Sequence, residues 1–263
     1  MNMNNETFFY AEYEAGMYDE TIALTTPFYN EAIEVMMKLV AMQCESIFSE
    51  NILLLDIGAG TGNESIKLMQ GHKNIYTIAV DLCSPMSDEY IKKYNREIFT
   101  PDNLKRFDYF VDDIFHIKSQ KLISILSEKK FQIIISAYTL HHYLKQDKEK
   151  LFKRIYDMLE DGGIFINLDL FSFDSPLISS FTDKESFLFI DENFENPGNE
   201  FMFAQKIPID ERRRLKNLWV KHYKMDNVLT SIEEQRDFLE QIGFSQTSIP
   251  FMYLQNGLIW AKK

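Results

Sequence analysis

A glycine-rich turn that follows an aspartate is the part of the sequence best suited to bind a ligand. Asp56 ends an apolar run, and Gly58, Gly60 and Gly62 follow it before a predicted helix. Glycine lets the backbone turn tightly, and the missing Cβ lets a ligand lie against the chain. In an open α/β sheet such a turn lies at the carboxyl ends of the strands, which is where ligands bind.

Two further aspartates stand where the next two predicted strands end. Asp81 comes 19 residues after Gly62, and Asp113 follows the third predicted strand. A carboxylate at Asp81 can accept hydrogen bonds from both hydroxyls of a ribose, and Asp113 can reach an adenine amino group. Asp56 can orient an ammonium group of the ligand, directly or through water. Each aspartate could instead cap a strand end, but three at successive strand ends indicate a site for a ligand that contains adenosine.

Two adenosine cofactors suit such a site, NAD and S-adenosylmethionine (SAM). NAD sites prefer the pattern G-x-G-x-x-G, and here the third glycine comes one residue early. Glu64 at the start of the following helix would repel a pyrophosphate but not the amino-acid group of SAM. The sequence therefore favours SAM, and an NAD-dependent oxidoreductase is the alternative.

SAM carries its methyl group on a positively charged sulfur. An in-line transfer of that group needs alignment and a dry site more than it needs catalytic groups. Aromatic rings can hold the cation, and Tyr18, Tyr29 and Tyr138 are the candidates.

Two adjacent histidines are the candidate catalytic residues. His141 and His142 follow the fourth predicted strand, beside the position at which the methyl group should point. Histidine has a suitable pKa for a general base, which is needed only where the acceptor must lose a proton. The alternative is that one ring packs in the turn and the other faces solvent. A metal site that also uses Asp169 is disfavoured because adjacent side chains diverge, so no metal is predicted.

The elements that must position these residues alternate between strands and helices. Apolar runs without polar alternation are typical of parallel strands that are buried on both faces. The β-α-β order predicts an α/β fold, a Rossmann-like doubly wound sheet. The strands of this order are predicted at 51–57, 75–80, 107–111, 131–136 and 164–170.

The alternation of strands and helices begins after residue 50 and is interrupted over 172–230. The chain therefore divides into four segments. Residues 1–50 are predicted to be a helical cap, and 51–171 the cofactor-binding core. Residues 172–230 carry several prolines and aromatics and are predicted to be an insertion that covers the pocket as a lid. Residues 231–263 complete the core with a helix and a β-hairpin, since Ser231 begins a capping box and Asn256-Gly257 is a hairpin signal.

The bulk composition indicates the partners and the compartment. The 263 residues carry a net charge of −12, and an acidic surface disfavours binding to nucleic acid. The two cysteines, Cys44 and Cys83, form no metal-binding or disulfide pattern. The start of the chain lacks a signal-peptide pattern, and no apolar run approaches the ~18 residues of a membrane span. We therefore expect a cytoplasmic protein without membrane contact.

Five motifs resemble those of the class I SAM-dependent methyltransferases, in the branch that acts on small molecules. The resemblance implies a mostly parallel seven-stranded sheet whose last strand is antiparallel. It also implies that Leu82 and Met86 flank the adenine and that Ile114 and Ser136 contact the cofactor. Tyr18 and Tyr29 are then expected to lie on a cap over SAM. The motifs are 55–62, 80–86, 113–114, 136–143 and 159–163.

The activity implied by this resemblance is methyl transfer from SAM to a small-molecule acceptor, with S-adenosylhomocysteine as the product. A methyltransferase for tRNA or protein is the alternative within the family, although the acidic charge disfavours it. The expected assembly is a monomer or a homodimer.

Overall fold

A seven-stranded sheet forms the centre of the protein. The computed structural model describes residues 15–47, 50–99, 105–198, 201–225 and 228–263. The strand order is β3-β2-β1-β4-β5-β7-β6, in which β1 to β5 are parallel and β7 runs antiparallel to both of its neighbours. This confirms the predicted Rossmann-like doubly wound sheet with an antiparallel last strand. The strands are β1 Ile52–Ile57, β2 Ile75–Asp81, β3 Phe107–Val111, β4 Phe131–Ala137, β5 Leu159–Leu170, β6 Gln246–Tyr253 and β7 Asn256–Lys262.

Helices cover both faces of the sheet. Helices α2, α3 and α4 pack on one face, and α5, α6 and α10 pack on the other. Helices α1, α7, α8 and α9 belong to a separate layer at the carboxyl edge of the strands. The helices are α1 Tyr18–Thr25, α2 Tyr29–Ser46, α3 Asn63–Gly71, α4 Ser84–Glu97, α5 Gln120–Glu128, α6 Lys145–Met158, α7 Pro176–Glu195, α8 Met202–Gln205, α9 Ile209–Met225 and α10 Ile232–Ile242; short 3-10 turns lie at Ala15–Met17 and Leu140–His142.

The central strands are apolar on both sides because each side faces a hydrophobic core. In β4, Ile133 and Ile135 pack toward one face and Ile134 toward the other, and all three are fully buried. Neighbouring Leu54 and Leu55 of β1 divide in the same way. Burial on both faces explains why these strands show no polar alternation.

The segment between β5 and α10 is helical and packs on the N-terminal helix. Leu24 of α1, Ile190 and Phe194 of α7, and Leu215 of α9 belong to one buried cluster. Ser175 caps α7 by accepting a hydrogen bond from the Ile178 amide at 3.4 Å. We refer to α1, α7, α8 and α9 together as the helical layer.

The structure differs from the predicted elements at the start of β5. The strand was predicted at 164–170, but β5 begins at Leu159, directly after α6 ends at Met158, so Gly162 and Gly163 lie inside the strand. The pairing of β4 with β5 shifts between Phe131 and Ile133, so the glycines accommodate a bulge rather than a helix end. Residues 1–14 and 48–49 of the predicted cap lie outside the described residues. Within the described part of the chain, no helix is both long and apolar enough to cross a membrane.

Candidate functional site

The three glycines of the turn between β1 and α3 have different surroundings. A Cβ at Gly58 would lie 1.9 Å from the Thr139 hydroxyl, and a Cβ at Gly62 would lie 2.6 Å from the Tyr90 ring. A Cβ at Gly60 would meet only the Gly58 carbonyl, at 4.0 Å. Gly58 and Gly62 are therefore required by protein packing, whereas Gly60 borders open space in which a ligand can lie.

Asp81, at the end of β2, is held against this turn. Its Oδ2 accepts a hydrogen bond from the Gly60 amide at 2.8 Å, and its Oδ1 accepts one from the Cys83 amide at 2.7 Å. Burial raises the pKa of Asp81, and these amide donors oppose the rise. Each carboxylate oxygen keeps a lone pair for a further donor, as the hydroxyls of a ribose require.

Asp56, at the end of β1, lies beneath the turn rather than at its rim. Its side chain is buried, and Oδ2 has no hydrogen-bond partner among the described residues. Burial, and after it the neighbouring Glu64 carboxylate, raise the pKa of Asp56 to about 8. A buried acceptor without a partner is costly, and a nearby cation would relieve that cost.

Of the residues predicted to surround the adenine, some line a cavity beside β3 and others are buried in the core. Leu82 and Asp113 line one cavity beside β3, where Asp113 accepts a hydrogen bond from the Phe115 amide at 2.8 Å. Met86 is buried and packs in a small cluster that also includes Tyr18.

Two of the predicted cofactor residues serve the packing of the sheet. Ile114 is buried in the core on one face of the sheet. The Ser136 hydroxyl donates to the Ile57 carbonyl at 2.9 Å and so joins β4 to β1. Their side chains are therefore engaged in the core, and their contact with the cofactor stays a prediction.

Helix α1 is anchored over the glycine turn by ionic contacts. Asp19 accepts a hydrogen bond from the Thr61 hydroxyl and forms an ion pair with Lys93 of α4. The Lys93 side chain is only 10 % exposed. Sequence reasoning missed this anchor, because Asp19 and Lys93 are 74 residues apart and belong to no motif.

His141 and Asp169 form a buried pair at the carboxyl ends of β4 and β5. Nδ1 of His141 lies 2.5 Å from Oδ1 of Asp169, and the two side chains are 6 % and 0 % exposed. The sequence suggested Asp169 only as a metal ligand; instead it fixes the orientation of the His141 ring. The His142 ring packs on that of His141, with centroids 3.9 Å apart. Among the described residues no group of three or more His, Cys, Asp or Glu is arranged to hold a metal ion.

Both histidines line a cavity between the sheet and the helical layer, which we call the His141 cavity. It has an empty volume of about 710 Å³, part of which is open to solvent. Aromatic, apolar, hydroxyl and amide side chains form its walls, and the described lining includes no Asp, Glu, Lys or Arg. Tyr18, Tyr138, Trp219, Tyr253 and Asn256 are among these residues.

The residues around the glycine turn fit SAM and not a pyrophosphate cofactor. Four carboxylates, from Asp19, Asp56, Glu64 and Asp81, lie at or under the turn, and Lys93 contacts one of them. Asp56, with its pKa of about 8, ionises readily when a cation binds beside it. The negative charge of this set repels a pyrophosphate and attracts SAM, which carries a sulfonium, an ammonium and one carboxylate. The open space at Gly60 and the lone pairs of Asp81 suit the adenosine part.

Comparison with known proteins also indicates a SAM-dependent protein. Residues 54–163 match the family model described as "Methyltransferase domain". The carboxy-S-adenosyl-L-methionine synthase of Nautilia profundicola is 24 % identical over 246 residues, which cover 94 % of this chain and 90 % of the relative. The synthase of that name from Actinobacillus pleuropneumoniae is 24 % identical over 279 residues, covering 99 % and 100 %.

Solved structures show the same fold. The CurJ carbon methyltransferase superposes with a TM-score of 0.62 at 17 % identity, covering 95 % of this chain and 59 % of that chain. Magnesium protoporphyrin IX methyltransferase from Synechocystis, solved with bound S-adenosylhomocysteine, gives 0.57 at 15 % identity, covering 99 % and 98 %. The chain is a SAM-dependent enzyme with a methyltransferase domain of the class I fold.

Proposed function

We propose that the enzyme methylates a small, neutral acceptor that binds in the His141 cavity. The observation that supports this most strongly is the buried His141–Asp169 pair in the wall of that cavity. A concave site walled mainly by aromatic and apolar side chains suits a small molecule better than a folded macromolecule. Because the described lining lacks Asp, Glu, Lys and Arg, an acceptor with a formal charge would lose its hydration without gaining a partner.

In this proposal His141 is the general base. When its Nδ1–H is donated to Asp169, Nε2 is the nitrogen left to accept a proton from the acceptor. Asp169 is a positioning residue that holds the ring in this tautomer and stabilises the imidazolium that results. When bound, SAM supplies a methyl group on a cationic sulfur, and its transfer leaves S-adenosylhomocysteine.

The cofactor would be held by the residues at the carboxyl edge of β1, β2 and β3. Asp81 would accept from the ribose hydroxyls, Leu82 and Asp113 would contact the adenine, and Gly60 would allow close approach. Residues 172–230 would act as the lid that keeps water away from the reaction.

A screen of phenols and alcohols for release of S-adenosylhomocysteine tests this function. With an acceptor that reacts, His141→Ala should lower kcat by about 10²- to 10⁴-fold, while the Kd for SAM stays within about twofold. Asp169→Asn should lower kcat and shift its pH profile, since it disturbs only the orientation of the base. His72→Ala, at the far end of α3 from the turn, is the matched control. An unchanged kcat in His141→Ala would show that no base at this position is used.

Synthesis of a carboxylated SAM is the second candidate. It is supported by the relatives of that name, since the match covers 94 % of the chain and not the methyltransferase domain alone. Its product would carry a carboxylate beside the sulfur, and a carboxylate in a dry site needs a cation as a partner. The described wall of the His141 cavity offers neither Lys nor Arg, so methyl transfer stands first. Mass spectrometry separates the two, since one reaction leaves S-adenosylhomocysteine and the other a nucleoside heavier than SAM.

We also infer a cytoplasmic location and a monomer or homodimer. Cys44 and Cys83 are not joined in a disulfide, which suits a reducing compartment. Light scattering across a concentration series would give the oligomeric state.

A further inference from the structure

A buried carboxylate outside the predicted set lies at the start of α3, next to the glycine turn. Glu64 is 7 % exposed, and its Oε1 accepts a hydrogen bond from the Tyr29 hydroxyl at 3.3 Å. The same hydroxyl accepts a hydrogen bond from the Asn63 amide at 3.2 Å. Burial raises the pKa of Glu64, and the charge of Lys93 opposes that rise.

Aromatic rings lie between this carboxylate and the His141 cavity. The rings of Tyr29 and Tyr138 have centroids 5.6 Å apart. Tyr138 lines the cavity, and its hydroxyl donates to Asn256 at 2.8 Å. The Glu64 carboxylate is close enough to raise the pKa of both Tyr29 and Tyr138, after the larger effect of burial. Both phenols are therefore neutral at pH 7, and Glu64 is the acidic group of this set that can carry a negative charge.

The position of this group corresponds to one part of the cofactor. The methyl group must point into the His141 cavity, so the sulfur that carries it must lie near Tyr138. A sulfonium donates no conventional hydrogen bond, and proteins recognise such cations by negative charge and by aromatic faces. Glu64 supplies the charge, and Tyr29 and Tyr138 supply the aromatic faces.

We propose that Glu64 makes the cofactor site selective for the sulfonium of SAM over the neutral thioether of S-adenosylhomocysteine. In the ligand-free protein the carboxylate is buried, and Lys93, whose charge acts on it, is itself paired with Asp19. A sulfonium beside it offsets the cost of that burial, and the loss of the sulfur charge on methyl transfer removes the benefit. The product is then held less tightly than the substrate, which favours its release. The inference rests on the proposed SAM site and on the His141 cavity as the proposed acceptor site, but not on which acceptor binds there.

Calorimetry with three ligands tests the proposal without any turnover. SAM and sinefungin carry a cation at the reacting position, S-adenosylhomocysteine does not, and all three share the amino-acid group. The wild-type protein should bind SAM and sinefungin more tightly than S-adenosylhomocysteine. Glu64→Gln should weaken the two cationic ligands by about tenfold and change S-adenosylhomocysteine by less than about twofold. Glu31→Gln, on the exposed surface of α2, is the matched control.

Three outcomes would overturn the proposal. Equal weakening of all three ligands would assign Glu64 to the shared ammonium group, and no change in any of them would make it a packing residue. If thermal denaturation shows that Glu64→Gln does not fold, the same calorimetry on the wild type and Glu64→Asp tests the proposal. Both proteins keep the carboxylate, so both must bind SAM and sinefungin more tightly than S-adenosylhomocysteine. A wild-type protein without that preference contradicts the proposal, whereas the acceptor screen can still succeed or fail independently.

Discussion

At the scale of single residues, Gly60 is the glycine of the turn whose substitution tests the cofactor site, and Gly162 of β5 serves as its comparison. Gly60 has φ +50°, and Gly162 in β5 has φ +80°; a Cβ at Gly162 meets nothing within 4 Å. A β-branched residue at either position strains the backbone by about 1–3 kcal/mol. Gly60→Val should also fill the space of the cofactor, so it should remove measurable SAM binding in calorimetry. Gly162→Val is the matched control: it should show similar strain in urea unfolding and retain SAM binding. SAM binding by folded Gly60→Val would place the cofactor elsewhere.

The Asp81 carboxylate is predicted to carry a large share of the binding of the ribose. Asp81→Ala should weaken SAM binding by about 1–3 kcal/mol, because a charged acceptor of hydrogen bonds is lost. The substitution also frees the Gly60 and Cys83 amides that Asp81 holds, so thermal denaturation must show that the variant is folded. Asp88→Ala, on the exposed face of α4, should leave the Kd unchanged. A folded Asp81→Ala with the wild-type Kd would remove Asp81 from the site.

We expect Asp56 to make SAM binding depend on pH. Its ligand-free pKa of about 8 is set by burial and by Glu64 and Asp81, with the Ser65 hydroxyl opposing the rise; the neutral phenols of Tyr90 and Tyr109 also lie near it. A cation nearby favours the ionised form, so binding of SAM should release a proton below pH 8. Affinity should therefore rise from pH 6 to about 8 and then level off. The pKa of Asp56 is higher in the folded than in the unfolded chain. The free energy of unfolding of the ligand-free protein should therefore fall from pH 6 to about 8. Calorimetry in two buffers measures the released proton, and its persistence in Asp56→Asn would contradict the assignment.

At the scale of elements, α1 owes its position to one ionic anchor as well as to packing. Lys93 of α4 holds Asp19 of α1, and Asp19 also accepts from Thr61 of the turn. Lys93→Ala should lower the affinity for SAM about tenfold. Without the ion pair α1 is less ordered before SAM binds, and ordering it on binding costs free energy. The control is Lys92→Ala on the same helix, whose side chain is 66 % exposed and paired with Glu89. Faster hydrogen exchange at 18–25 in Lys93→Ala should accompany the loss; equal affinities of the two variants would show that the anchor has no role in binding.

At the scale of the whole molecule, local patterns predicted the strands of the sheet one by one, but the layer above it only as a helical cap and an insertion. Continuous apolar runs such as β4 are visible in the sequence because burial on both faces constrains every residue. The turn and Asp81 were predictable because tight turns and strand ends have few solutions. The His141–Asp169 pair and the Asp19–Lys93 anchor depend instead on contacts between distant segments. The helical layer escaped detailed prediction because its faces are fixed by packing of α1 against α7 and not by local periodicity.

The helical layer is joined to the edge of the sheet at several points around the His141 cavity. Asn256 donates to the Pro27 carbonyl at 2.9 Å, and Gln255 donates to Asp183 of α7 at 2.7 Å. Leu24 and Ile190 of the layer share a buried cluster, so a ligand that orders α1 should also order α7. This coupling makes closure a property of the whole layer rather than of one loop.

Hydrogen exchange with and without sinefungin measures this closure directly. Exchange should slow at the contact segments 56–62 and 81–86, and also across 18–25 and 176–195, because cooperative units open together. Helix α6 packs on one face of the sheet and does not belong to the helical layer, so it should serve as the internal reference and show little change. Gly60→Val treated with sinefungin should show none of these effects, which separates ligand binding from non-specific stabilisation. Protection confined to 56–62 and 81–86 would mean that the helical layer does not close over the cofactor, and the acceptor site would then be open enough to admit a larger substrate.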